Sequence, residues 1–243
     1  MRLILLLLLI TCAAALDIVM TVSELTDAQL IGVKNNYSNG LVNTSFEIFN
    51  SGSLGSKSRV RLDVYYQQKQ MARLWSHEFS FQPNDREFIE FYWPTMNKTG
   101  KFVLVPFYYT QTEIIKLENI TFRVNNSSQN TENIKMVSSK FYKDRISVYI
   151  KTNSTSDAVI IPLKYPGSWI VEQKKARLYQ NTLNYVEIKT SPGSWNPGTI
   201  TFMVMDNNGN YGINEFTIKR ENALNEAMFY LIKFFEEQIS KIL

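Results

Sequence analysis

Apolar and polar side chains alternate with a period of two in one stretch after another of this 243-residue chain. That spacing sends successive side chains to opposite faces of a strand. In VRLDVYY, Val60, Leu62, Val64 and Tyr66 share one face, and Arg61, Asp63 and Tyr65 share the other. FIEFYW sets Ile89, Phe91 and Trp93 against Phe88, Glu90 and Tyr92, while SFEIFN places Phe46 and Ile48 opposite Glu47 and Phe49. KFVLVPFYY and NITFRV continue the series, with Asn84 and Gly100 in the turns between. With Leu16–Val22 and ARLWSHEFSF, about seven strand-like segments precede Val124, which suits a sandwich of two antiparallel sheets.

NNSSQNTEN, residues 125–133, has no apolar side chain. It can bury nothing and reads as a linker. Alternation then restarts: Ile146, Val148 and Ile150 point one way, as do Val186 with Ile188, and Ile200, Phe202 and Val204. DNNGN at Asp206–Asn210 contains Asn-Gly, a strong hairpin signal because both residues tolerate positive φ. The last 23 residues change period. Leu224, Met228, Leu231, Phe235, Ile239 and Ile242 recur at steps of four and three, predicting an amphipathic helix over 221–243. The expected fold is all-β: two tandem immunoglobulin-like sandwich domains, 17–124 and 134–220, followed by that helix.

The first sixteen residues add a compartment. MRLILLLLLITCAAAL has one Arg, a short apolar run and a small-residue end, the layout of a secretory signal peptide. The run is too short to span a bilayer. Cys12 also leaves lipid attachment open, and cleavage near Ala15 would remove this one cysteine of the chain. A cysteine-free exported chain fits a bacterial or archaeal exterior. The expected location is secreted, extracellular or cell-surface associated. Sequons at Asn36, Asn43, Asn97, Asn119, Asn125, Asn126 and Asn153 are candidate glycan sites of a glycoprotein. With 26 basic against 22 acidic residues and no long basic block, nucleic acid is not an expected partner.

Pro-Gly-Ser-Trp occurs twice, at Pro166–Trp169 and Pro192–Trp195. Pro-Gly suits the central pair of a type II turn. The two indoles either cap a sandwich core or, with Trp93, form an exposed aromatic platform for a sugar.

Catalytic groups are sparse. His77 is the one histidine, so common zinc sites and Cys-His pairs are not available to the mature chain. Asp85, Glu87 and Glu90 cluster in sequence, yet alternation exposes Glu90 on a strand. The Asp206 loop has too few carboxylates for tight calcium binding. No enzyme activity, metal or cofactor is expected.

FEIFNSGSLGSKSRVRLDVYY, followed by FYWP and GKFVLVPFYY, resembles the CARDB adhesion-type sandwich modules of archaeal and bacterial surface proteins, with Asn50, Gly52, Trp93 and Gly100 in the matching places. PGTITFMVMDNNGNYG is similar to the late strands of bacterial immunoglobulin-like domains. The resemblance implies display and adhesion without catalysis. The expected role is a structural or interaction protein whose terminal helix attaches to a protein partner, to itself or to a membrane surface; a carbohydrate-binding module is the alternative.

Overall fold

The computed structural model of the chain describes residues 27–126, 131–142, 144–192 and 198–218. The expected signal segment, the expected helix 221–243 and Trp195 lie outside these residues. Among the described residues every regular element is a strand, and no helix is long and apolar enough to cross a membrane.

Among the described residues nine strands precede residue 125: β1 (Ala28–Ser38), β2 (Leu41–Asn50), β3 (Ser56–Tyr66), β4 (Lys69–Trp75), β5 (Phe79–Phe81), β6 (Arg86–Pro94), β7 (Gly100–Tyr109), β8 (Ile114–Lys116) and β9 (Ile120–Val124). Nine follow: β10 (Thr131–Glu132), β11 (Ile134–Tyr142), β12 (Arg145–Thr152), β13 (Ser156–Lys164), β14 (Ile170–Val171), β15 (Lys174–Leu178), β16 (Asn184–Ser191), β17 (Gly198–Asp206) and β18 (Asn210–Ile218).

They form four sheets. In the first half, β1-β2-β6 lies against β4-β3-β7-β8, with β5 added to β3 and β9 to β7. In the second, β11-β12-β16-β14 lies against β10-β18-β17-β13-β15. The wiring repeats. In each half the first, second and fifth long strands share one sheet, and the third, fourth, sixth and seventh share the other. β10 falls within the segment expected to link the halves and pairs parallel with β18 through Thr131 and Glu132.

Alternation places the core as the sequence predicts. Phe46, Ile48, Ile89, Phe91 and Trp93 from one sheet meet Val60, Leu62, Val64, Phe102 and Leu104 from the other, all essentially inaccessible to water. Val148, Ile150, Val186 and Ile188 likewise face Ala158, Ile160, Phe202 and Val204. Asn84 and Gly100 take positive φ in their turns, and Gly209 does so in the Asn-Gly hairpin joining β17 to β18.

At one point the two sheets of the second half come unusually close. A Cβ on Gly212 of β18 would sit 1.9 Å from the carbonyl oxygen of Ile134 on β11. Only a residue without a side chain fits this approach.

Candidate functional site: the seam between the halves

β13 and β17 carry unbroken apolar runs, AVIIP and FMVM, rather than a clean alternation. Such runs belong to strands buried on both faces. Ala158, Ile160, Phe202 and Val204 enter the core of the second half, whereas Val159, Ile161, Met203 and Met205 join the core of the first. The wall of one half therefore closes the open flank of the other, where β6 and β4 form sheet edges. Burying these four side chains contributes roughly 1.5–3 kcal/mol each, an upper bound. Their sum is comparable with the whole stability of an ordinary domain. A free hinge between the halves would forfeit it.

Polar groups rim this seam on both sides. On the β6 side, Gln173 reads the backbone of Tyr92: the Tyr92 N–H donates to Gln173 Oε1 at 2.9 Å, and Gln173 Nε2 donates to the Tyr92 carbonyl. Beside it, Lys175 donates to Glu90, which also accepts from the Tyr92 hydroxyl at 2.6 Å and from Asn43 Nδ2 at 2.7 Å. The Lys175 ammonium lies 4.7 Å from the centre of the Tyr92 ring. Burial by itself raises the Glu90 carboxyl, but the bonds from Lys175, Tyr92 and Asn43 outweigh it and hold the group below its ordinary range. Burial opposes charge on Lys175, and the bonds to Glu90 and Tyr92 reverse that and push it up. Burial and then the Glu90 bond raise the Tyr92 phenol. All three keep the protonation state they hold in neutral water. A nucleophilic lysine or a general acid needs the opposite displacement. An open cleft of ≈ 390 Å³ lies alongside, lined by Tyr92, Asp157, Lys175, Arg177 and Asn207 among others.

On the β4 side, Asp63 is almost wholly buried between Arg61, 3.1 Å away, and Arg73, 3.3 Å away. The Arg61 guanidinium lies 4.4 Å from the centre of the Phe107 ring and 5.2 Å from that of Tyr109, and it donates to the Tyr109 hydroxyl. From the second half, the Tyr165 hydroxyl donates to the Arg73 carbonyl at 2.8 Å, and burial drives its phenol far above the ordinary value. Glu172 accepts from Arg59 at 2.8 Å and pairs as a parallel bridge with Trp75. The charged groups of the seam are paired, as burial requires, while Asn43 Oδ1, Arg61 Nε and Trp75 Nε1 are buried without a hydrogen-bond partner.

Of the three tryptophans that could form a platform, Trp93 and Trp169 lie among the described residues, and both are buried. Trp93 is fully buried, its Nε1 donating to Thr44 Oγ1 at 2.9 Å and its ring 5.0 Å from Phe102. Trp169 is 2% exposed and stacks on Phe141 at 5.2 Å. Neither offers a face to a sugar, because both fill core. Trp169 thus follows the core-capping alternative. The turn before it also differs from expectation. The Trp169 N–H bonds the Pro166 carbonyl at 2.9 Å, so Gly167 and Ser168 are the central pair, and Gly167 does not take positive φ. The frame is shifted by one residue, which puts Trp169 at the turn's exit and aims it inward.

The acidic residues that cluster in sequence do not converge on one site. Asp85 accepts from the Gln82 N–H in a turn, Glu87 lies 3.3 Å from His77, and Glu90 is held at the seam. His77 is more than half exposed, because β4 ends at Trp75. Asp206 is fully buried and accepts from the backbone N–H groups of Asn208 and Asn210. Of the candidate glycan positions, Asn36, Asn97, Asn119, Asn125, Asn126 and Asn153 are exposed, whereas Asn43 is half-buried with its amide nitrogen bonded to Glu90 and Tyr92. Sequence reasoning missed Gln173 and Lys175. A polar stretch, EQKK, gave no sign that Glu172, Gln173 and Lys175 all answer the other half.

No family model matches the chain, and no curated protein matches it. Solved structures similar to it include red sea bream transglutaminase, at 7% identity and a TM-score of 0.30 over 79% of this chain and 32% of that one. Dimeric latent PorU from Porphyromonas gingivalis is 11% identical, with a TM-score of 0.31 over 80% of this chain and 20% of that one. A mutant Salmonella alpha-2-macroglobulin is 7% identical, with a TM-score of 0.28 over 78% and 16%. The chain spans about a third or less of the length of each of these proteins.

Proposed function

We propose that the chain is a non-catalytic interaction module of the cell exterior, made of two immunoglobulin-type sandwiches fused into one stiff body. The observation that carries this reading is the burial of β13 and β17 on both faces, with Val159, Ile161, Met203 and Met205 serving the core of the first half. A molecule built this way presents its outer faces at a fixed spacing. The protonation states held at Glu90, Tyr92 and Lys175 support a structural role for the seam. In this reading residues 1–16 direct export, and the apolar stripe of 221–243 attaches the module to a protein neighbour.

Two measurements test it. Intact producing cells are treated with a membrane-impermeant lysine reagent; the expected result is a labelled chain that has lost its first residues. Recovery of an unlabelled, full-length chain from the cytosol overturns the placement. Spin labels at exposed positions 57 and 151 then report stiffness. A narrow distance distribution is expected, and a broad one overturns the single-body reading.

A further inference from the structure

The outer face of the β11-β12-β16 sheet carries chemistry that folding does not require. Alternation exposes Tyr185, Glu187 and Lys189 along β16 while their neighbours Val186 and Ile188 are buried. Across the pair, Tyr149 lies opposite Tyr185 and Ser147 opposite Glu187. The two tyrosine rings stand 5.5 Å apart at 54°, with Tyr185 about half exposed. At one end of this pad Lys135 and Lys151, both exposed, occupy directly opposed positions on β11 and β12. At the other end Arg145 and Lys189 are opposed on β12 and β16, and Lys140 lies 6.0 Å from the Tyr149 ring.

Like charges directly opposite one another destabilise a sheet. Arg145 is relieved by Glu187 at 3.4 Å and Asp144 at 3.9 Å. Among the described residues no carboxylate pairs with Lys135, Lys151 or Lys189. Four lysines and the already paired Arg145 thus surround a flat aromatic centre, where Glu187 accepts from the Tyr185 hydroxyl, and the exposed Asp144 lies at the Arg145 end. Ser147 Oγ is 3.1 Å from the same hydroxyl.

We infer that this face binds an acidic polysaccharide. Each part has a counterpart in such a ligand. The tyrosine faces offer apolar surface with a polar edge, suited to a sugar ring. Glu187 accepts bonds from ring hydroxyls, and the unpaired lysines at both ends meet carboxylate or sulfate groups on flanking sugars. A nucleic acid fits less well. Single strands follow a continuous basic groove, and here a carboxylate sits in the middle of the path. This inference extends the reading of the chain as an exterior interaction module by naming a ligand class for one face.

The test uses the purified full chain and polygalacturonate, with neutral dextran as control. Retardation by polygalacturonate alone is expected, weakening as salt is added. Lys135→Glu and Tyr185→Ala alter exposed positions, and each is expected to lower affinity about tenfold with an unchanged thermal transition. Lys151→Glu serves if either variant melts early. Failure to bind polygalacturonate overturns the inference, as do unchanged binding by the variants, tighter binding to an oligothymidylate or to phosphatidylglycerol vesicles, or a dimer that buries Tyr185. Failure here with the chain still found outside the cell overturns this inference alone; binding by a chain that never leaves the cytosol instead overturns the proposed location.

Discussion

The side-chain amide of Gln173 pairs with both backbone groups of Tyr92 as though it were one residue of an added strand. Tyr92 lies on β6, the edge of its sheet, where N–H and C=O groups otherwise face outward unpaired. A residue of the second half thereby finishes a sheet of the first. Gln173→Ala removes both partners at once. A loss of about 1–3 kcal/mol is expected, read as a lowered urea midpoint with an unchanged slope. Gln173→Glu, which keeps the acceptor but sets a carboxylate oxygen against the Tyr92 carbonyl, is expected to lose at least as much.

Met203 belongs to the second half in sequence and to the first in its packing. Met203→Ala is expected to cost about 2–5 kcal/mol. The transition should remain single, because both halves share the lost contact. Calorimetry checks this, and two separated transitions in the parent chain would contradict the shared core.

Gly212→Ala drives a Cβ into the Ile134 carbonyl, a backbone atom that cannot swing aside. The two sheets of the second half must part for it to fit. We expect destabilisation of more than about 1 kcal/mol, visible as a lower melting temperature, whereas Gly167→Ala, whose nearest neighbour is the tip of Arg73 at 4.0 Å, is expected to be near neutral.

The Glu90–Lys175 pair sets a pH response. Glu90 is held below its ordinary value in the folded chain, so its contribution is present above the unfolded value, about 4.3. It is lost as pH falls through the lower folded value. Lys175 is held above its ordinary value, so its contribution is present below about 10.4 and is lost as pH rises through the higher folded value. Stability should therefore be flat around neutrality in this respect. In Glu90→Gln the acid-side decline measured by urea midpoints should be shallower than in the parent.

Sugar on the folded chain should discriminate among the sequons. Peptide mapping after expression in a glycosylating host is expected to find Asn43 bare in the folded, secreted fraction, because a glycan there would displace the bonds to Glu90 and Tyr92. Asn36, Asn97, Asn119 and Asn153 are exposed and sterically open to modification.

Much of the strand pattern was legible because alternation is a local consequence of one wet face and one dry face. Val60, Leu62 and Val64, or Ile146, Val148 and Ile150, could be assigned inward from spacing alone. β1 was not legible. It is mostly exposed, Gly32 takes a φ of 65°, and its register with β2 slips between Ile31 and Lys34, so no period survives. Arg61 and Asp63 were correctly set on the outer face of β3, but nothing local says that another half covers that face. The apolar runs in β13 and β17 were the available signal of such a cover. Reading β17 as a one-sided strand hid Met203 and Met205, and the run through Val159 and Ile161 was given no facing. Gln173 left no signal at all, since its task is defined by an edge eighty-one residues away.

A strand with two dry faces also decides where this polypeptide can be cut. Severing it in the polar stretch before β10 would give one fragment with an unlidded flank and another with a greasy wall of Val159, Ile161, Met203 and Met205. Neither piece would stay dispersed in water by itself. Expression of either half alone calls for polar replacements at those four positions, and recombination during descent would have had to move the two halves as one cassette.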